Sequence, residues 1–348
     1  MSNRPFELDS VEKNTLILEQ LNKLTLHHFE NCVLYNKYLR AYGFNPGRAD
    51  SLGGLPYLPA RAFKEFDLKS TTEQSITSTV MSSGTAGLQS KIYLDSRTSL
   101  KQSRALSEIL RSYIGTKKLP MLIFDSPDAG RKTSSFSARG AGTLGFSTFA
   151  SKKHFALDSE LNLNLPEVEF FLSEYGGSDF LIFGFTFLIW QSLVLNKIPN
   201  VISNSMSKGR LFHGGGWKKL ESFGISDKLF KEELTIRTGL KNIHNYYGMA
   251  EQTGSIFVEC QFGRMHASKY SDVIIRDENS LEVLSGNRKG IIQVFTSIAE
   301  SYPGHSILTE DFGWIEPDKL CQCGRHGAVI HIDGRLKRAE VRGCSDVN

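Results

Sequence analysis

Between residues 99 and 246 short apolar runs alternate with helix-patterned stretches, and this alternation restricts the fold more than any other feature of the chain. The apolar runs stand at 121–124, 180–185, 210–212 and 243–246, with helical patterning at 99–113 before the first and at 227–238 between the last two. That order predicts an α/β core whose ligand-binding loops lie at the strand ends. The longest apolar run, 180–190, is too short to cross a bilayer and contains Gly184 and Thr186. It reads as a buried strand entering a helix, and no membrane span is expected.

On either side the texture changes. Leu18, Leu21, Leu24, Leu26, Phe29, Val33, Leu34 and Tyr38 fall near a 3.6-residue spacing that ends at Gly43 and Pro46, which predicts a helical first segment. Residues 256–332 carry short strand-like runs divided by Gly, Asn, Asp and Pro, the pattern of a small β-rich subdomain. With 348 residues, 40% of them hydrophobic, the chain can bury a large core. The 41 Lys and Arg nearly balance the 37 Asp and Glu, and no long basic block appears. A net charge of +4 gives no footprint for nucleic acid and suits an anionic small ligand. Residues 1–10 are polar and acidic rather than signal-like, so a cytoplasmic location is expected.

Ser82-Ser83-Gly84-Thr85-Ala86-Gly87 lies between two strand-patterned runs, 76–81 and 91–94. Small residues let backbone amides and hydroxyls approach an anion, so the stretch suits a phosphate cradle; it also suits an ordinary turn. It is not a Walker loop, because no Gly-Lys-Ser/Thr follows and the flanks read strand-loop-strand. Four further stretches follow in order: His213-Gly214-Gly215-Gly216-Trp217, Tyr246-Tyr247-Gly248-Met249-Ala250-Glu251-Gln252, Thr309-Glu310-Asp311-Phe312-Gly313 and Asp333-Gly334-Arg335-Leu336-Lys337-Arg338. Singly, each is a common loop or strand end. Together they supply a glycine-walled slot, an aromatic face, Asp311 to accept from ribose hydroxyls and Glu251 to hold Mg²⁺ on phosphate oxygens, a set suited to a nucleotide.

The ordered set resembles the adenylate-forming superfamily, whose members make an acyl-AMP from a carboxylic acid and ATP. Ser82 to Gly87 match that family's phosphate loop at all but one position. Tyr247, Gly248 and Glu251 match its Tyr-Gly-x-Thr-Glu element, and Thr309 and Asp311 its Thr-Gly-Asp element. The resemblance covers roughly residues 76–338 and implies the family's α/β N-terminal domain, with layered subdomains plus a small β-rich one. It implies that Ser82, Ser83 and Thr85, spaced by Gly84 and Gly87, hold the ATP phosphates. Gly214, Gly215 and Gly216 with Tyr247 would bind adenine, flanked by His213 and Gly248. Glu251 would bind Mg²⁺, and Asp311 and Arg335 the ribose.

Departures from the pattern carry expectations of their own. Ala86 and Ala250 replace family hydroxyls, so one hydrogen bond to the phosphates is either missing or supplied elsewhere, with Gln252 and Thr253 as the candidates. Ser90 stands where a lysine usually closes the loop, with Lys91 next to it. Family members continue past the Gly-Arg hinge for about another hundred residues, a lid domain carrying a catalytic lysine. The chain ends at Asn348, so the fold is expected without that lid, with Lys91, Lys218 or a partner's residue supplying the charge.

Within the superfamily the chain resembles acyl-protein synthetases of the LuxE type, which activate a fatty acid and carry it on a cysteine near the C-terminus. Cys344 stands in Arg342-Gly343-Cys344-Ser345. It follows Arg335 by nine positions, within about 30 Å of the hinge at about 3.3 Å per residue. Lys337, Arg338 and Arg342 favour its thiolate. The implied reaction is adenylation of a carboxylic or fatty acid, with Glu251 and Lys91 in the catalytic set, followed by attack of Cys344 to give an acyl-thioester. An acyl reductase or other acyl-accepting protein would be the partner. Coenzyme A or a carrier protein as acceptor is one alternative, and a non-catalytic nucleotide-binding subunit another. The implied division is a helical segment over 1–60, an ATP- and acyl-binding core over 61–255, a β-rich subdomain over 256–334 and a hinge-like tail over 335–348 with Cys344.

Five cysteines without a secretion signal argue against a disulfide framework. Cys260 and His266 precede a Cys321-x-Cys323 pair in the β-rich segment. Cys₃His is a structural Zn²⁺ set, and a similar cluster in phenylacetate-CoA-ligase-like members of the superfamily points the same way; buried free thiols are the other reading. Cys32 reads as core packing on the first helix. Phe180, Phe183, Phe185 and Phe187 suit either an acyl tunnel or an ordinary core.

Overall fold

The computed structural model describes residues 4–44, 47–82, 89–130, 135–196, 202–215, 225–316 and 320–335. They divide into two compact units: one gathers the described residues up to 82, then 89–115 and 248–335, and the other runs over 116–247.

Helix α1 (Ser10–Asn31) opens the first unit, capped by the Asp9 carboxylate, which accepts from the Val11 and Glu12 amides at 2.9 and 3.0 Å. Ile17, Leu21, Leu24 and His28 form its buried face. The helical spacing does not run unbroken through Tyr38. Cys32 is buried but extended, and a second helix, α2 (Val33–Ala41), starts after it with Tyr35 and Leu39 inward. Asn36 Nδ2 donates to the Phe29 carbonyl at 2.8 Å, satisfying an acceptor that the end of α1 leaves free. Next come β1 (Leu58–Pro59), the single turn α3 (Ala62–Glu65), and the antiparallel pair β2 (Ile76–Met81) and β3 (Lys91–Asp95), whose register sets Met81 opposite Lys91. Helix α4 (Ser96–Ile114) follows, its N-terminus capped by Asp95 on the Thr98 amide at 2.7 Å.

The second unit contains β4 (Leu119–Phe124), β5 (Ser135–Ser137), α5 (Ala138–Ser147), β6 (Ala150–Phe155), α6 (Leu165–Tyr175), β7 (Phe180–Phe185), α7 (Thr186–Trp190), β8 (Gly209–Gly214), α8 (Asp227–Thr238) and β9 (Asn242–Tyr247). Its sheet runs β6-β4-β7-β8-β9, parallel throughout. Every residue of β7 is buried, as a strand covered on both faces requires. The Phe146 and Phe183 rings stack at 4.3 Å, and Phe212 and Tyr246 lie against Phe146. The phenylalanines of β7 thus pack on other rings as core.

The first unit resumes with β10 (Phe257–Glu259), β11 (Met265–His266), β12 (Ser271–Arg276), β13 (Val283–Leu284), β14 (Gly290–Thr296), β15 (Ser306–Glu316) and β16 (Val329–Arg335). These strands order as β13-β12-β14-β15-β16-β11-β10 with antiparallel pairing, and β1 lies parallel to β15. Among the described residues no helix is long and apolar enough to cross a membrane.

Candidate active site

In the first unit, residues far apart in sequence are brought together by β15, β16 and the short turn Ala250–Gln252. Asp311 pairs across the strands with Arg335, whose Nε lies 3.4 Å from Asp311 Oδ1 and whose Nη1 lies 3.5 Å from Glu310 Oε2. The Thr309 to Gly313 stretch, which reads as a loop in sequence, sits in the middle of β15. It is an irregular stretch: register slips between Phe312 and Gly313, and the Thr309 hydroxyl donates to the Ile292 carbonyl at 2.7 Å while accepting from the Asp311 amide at 3.1 Å. Gly313 is required there, because an added Cβ would run into the His331 carbonyl. Thr309 therefore orients Asp311 by holding its backbone.

Glu251 is buried at 6% exposure, and among the described residues no ion pair closes on its carboxylate. Burial pushes its pKa up; the Ser90 hydroxyl, Lys64 and Arg335 oppose the rise. Ser90 Oγ is buried and faces Glu251 without a hydrogen bond of normal geometry. The turn bearing Glu251 is fixed from behind: Tyr302 Oη donates to the Glu251 carbonyl at 2.9 Å, and Gln252 Nε2 donates to the Val294 and Gly304 carbonyls at 3.2 and 2.9 Å. Thr253 Oγ1 donates to the Ala250 carbonyl at 2.8 Å. Gln252 and Thr253 are thus committed to backbone, and the structure does not support their standing in for the hydroxyls missing at Ala86 and Ala250.

The base of the Ser/Gly/Thr loop is a closed strand pair, in which Ser82 N donates to the Ser90 carbonyl at 3.0 Å and Ser90 N to Ser82 Oγ at 2.8 Å. Ser83, Gly84, Thr85 and Gly87 lie outside the described residues, as do Gly216, Lys218 and Cys344. Lys91 is half exposed and lies 3.8 Å from Asp67.

In the second unit the carboxyl ends of the parallel strands place Asp125, Thr186 and Gly215 along one edge, the edge at which ligands bind in sheets of this kind. Gly215 has φ +92, and a Cβ on it would collide with the Phe185 ring, so only glycine fits. His213 is fully buried and held neutral by that burial. Thr186 Oγ1 donates to the Gly214 carbonyl at 3.1 Å, which leaves His213 Nδ1 to donate to Thr186 at 3.0 Å. His213 therefore shapes the glycine slot through Thr186. Tyr247 ends β9 and is partly buried; an added Cβ on Gly248, in the first unit, would press on Ile256.

The Cys260, His266, Cys321 and Cys323 ligand atoms all lie within 4.8 Å of one another. Two matched turns create this cluster. In Cys260-Gln261-Phe262-Gly263-Arg264 and Cys321-Gln322-Cys323-Gly324-Arg325, the cysteine amide donates to the arginine carbonyl (2.8 and 3.1 Å) and the glycine amide to the cysteine carbonyl (3.0 and 2.8 Å). Gly263 and Gly324 adopt φ 73 and 78. This repeated pentad is visible in the sequence and is the signal that a search for longer repeats passes over. Burial holds His266 down to about 4, neutral and able to ligate. Burial raises the Cys260 thiol to about 11, and also works against Cys321, where the Cys323 amide and Arg264 outweigh it and bring the pKa below the ordinary thiol value. Three sulfurs and one neutral imidazole at this spacing fit Zn²⁺.

The family profile described as "Acyl-protein synthetase, LuxE" matches residues 1–348. Among solved structures the chain is similar to 2-hydroxyisobutyryl-CoA ligase in an open conformation with 2-HIB-AMP and CoA, with 14% identity, 96% of this chain and 77% of that chain covered, and a TM-score of 0.76. The same ligase in the postadenylation state gives 13% identity, 95% and 69% coverage and a TM-score of 0.71. ATP-bound MatB from Rhodopseudomonas palustris gives 14% identity, 76% and 49% coverage and a TM-score of 0.51. At these identities the likeness shows a shared fold, that of adenylate-forming ligases. No curated protein matches the chain.

Proposed function

The chain belongs to the LuxE acyl-protein synthetase family, and we propose that it activates a carboxylic acid, a fatty acid in the first instance, with ATP and passes the acyl group to a cysteine thiol. The observation that carries this reading is the pairing of Asp311 with Arg335 across β15 and β16 in the unit that also holds the buried Glu251, each residue drawn from a separate sequence motif. A buried carboxylate with no ion pair among the described residues suits a divalent cation, and Glu251 would hold the Mg²⁺ that travels with ATP and offsets phosphate charge. Asp311, held by Thr309 and Arg335, would accept from the ribose hydroxyls. The adenine role of Gly214, Gly215 and Tyr247 belongs to the same reading and rests on the motifs.

In the first half-reaction a carboxylate oxygen of the acid attacks the α-phosphorus, the bond to the bridging oxygen breaks, and pyrophosphate leaves with that electron pair. In the second, the Cys344 thiolate attacks the acyl carbon of the mixed anhydride, the C–O bond to AMP breaks, and the products are a thioester and AMP. Acid-dependent exchange of pyrophosphate into ATP, screened over acids of increasing chain length, tests the first step. Hydroxylamine-sensitive acyl label on the protein that disappears in Cys344→Ser tests the second. Label that survives the substitution excludes the thiol role, and acyl transfer to coenzyme A without Cys344 would favour a soluble acceptor.

We also infer a structural zinc ion on Cys260, His266, Cys321 and Cys323, supported by the two matched turns. Protein purified without chelator should carry about one zinc per chain and release it in Cys321→Ser. Metal content far below one per chain would overturn this assignment.

A further inference from the structure

We propose that Lys64 binds the β- and γ-phosphates of ATP, the group that leaves as pyrophosphate; this rests on the adenylation reading above. Lys64 lies on α3, directly after β1, and β1 pairs with β15 through Leu58↔Ile307 and Pro59↔Leu308. The Ala60 amide extends that pairing to the Leu308 carbonyl at 2.9 Å. The turn carrying Lys64 is thereby fixed beside Thr309, Glu310 and Asp311, some 240 positions later in sequence.

The ammonium is poorly partnered where it stands. Among the described residues its one ion pair is with Glu310 Oε2 at 3.7 Å, although the Lys64 side chain is only 16% exposed. Its neighbours in sequence differ: Arg61 lies 2.6 Å from Glu65 and Lys69 2.5 Å from Glu73. Arg335, the other cation of the cluster, is divided between Asp311 and Glu310. An ammonium mostly withdrawn from water and lacking a close partner is stabilised by an incoming anion.

Position selects the phosphate end of the nucleotide rather than the ribose end. The chain leaving α3 is held on β3 at the base of the Ser/Gly/Thr loop, where Tyr93 Oη donates to Asp67 at 2.6 Å, Lys91 lies 3.8 Å from the same carboxylate and the Ser90 amide donates to Ser82 Oγ at 2.8 Å. The ribose-directed carboxylate, Asp311, is instead paired with Arg335. Glu310 holds Lys64 loosely, so a polyphosphate can take the ammonium over without breaking a tight pair.

The test is calorimetric titration of the intact protein with Mg·ATP and, separately, with AMP, in the absence of acid. In Lys64→Met, ATP binding should weaken about 30-fold while AMP binding changes less than about 3-fold, as expected for loss of one charge-assisted contact to phosphate. Lys64→Arg should recover most of the ATP affinity. Equal weakening of ATP and AMP, or unchanged ATP binding in Lys64→Met, overturns the inference and leaves the adenylation reading standing. An unaltered protein that binds neither nucleotide overturns both.

Discussion

One buried carboxylate in each unit makes a contrast, Asp125 in the second and Glu251 in the first. In the second, Asp125 has no exposure and every part of it is answered: Arg139 reaches its two oxygens at 2.8 and 3.0 Å, Thr143 donates at 3.4 Å and the Ser126 amide at 2.7 Å. In the first, Glu251 is nearly as deep, yet the cations that favour its ionised form, Lys64 and Arg335, form ion pairs with Glu310 and Asp311. Breaking a closed pair leaves a buried charge without its counter-ion and costs stability. An open set of charges costs stability and is retained where a ligand completes it.

The largest expected effect tests the closed pair. Arg139→Met leaves the Asp125 carboxylate buried without its counter-ion and should lower stability by about 3–5 kcal/mol in denaturant unfolding; an unchanged midpoint would erase the contrast between the two sites. Glu251→Gln should do the reverse, reducing acid-dependent pyrophosphate exchange about 100-fold while leaving the unfolding midpoint unchanged or raised. A stability loss comparable to that of Arg139→Met would make Glu251 a structural charge instead.

A third prediction concerns pH. His28 and His305 are fully buried in the first unit, His28 bonded to Ser70 and the Ala299 carbonyl and His305 to Thr25. Burial holds both below the usual histidine value, His305 at about 3. Because the unfolded chain takes up these protons first, stability is complete above about pH 6.5 and falls as pH drops toward the folded values, by up to about 1.4 kcal/mol per pH unit for each ring. His305→Gln should flatten that dependence between pH 6 and 4, roughly the window those pKa values define; an unaltered slope would remove His305 from the account. The smallest effect is expected in the glycine slot, where Thr186→Val removes the link between His213 and the Gly214 carbonyl and should cost about 1–2 kcal/mol. Thermal unfolding of the variant checks it, and no change would leave His213 without a positioning role.

Much of this architecture was legible in order along the chain. The apolar runs became β4, β7, β8 and β9, and the predicted helix 227–238 is α8 with the Ser226 cap and Gly239 stop that its sequence advertises. Local geometry was harder to read where two patterns overlap. Cys32 divides the first helical segment because its flanks keep a helical spacing on both sides of the break, and periodicity does not register one extended residue. Thr309 to Gly313 has the composition of a loop but lies within a strand, since the slipped register places its polar groups without ending the ladder.

The sequence by itself determined the α/β alternation, the strand-loop-strand setting of Ser82, and the residue types able to meet a nucleotide or a soft metal. These follow from periodicity, backbone freedom and side-chain chemistry, all local properties. Only the tertiary structure decided which charges answer one another. Asp125 is closed by Arg139, Gln252 is bound to two carbonyls, and Lys64 is carried to Glu310 by the pairing of β1 with β15. Electrostatic partnership depends on distance and burial in space, and chain separation encodes neither.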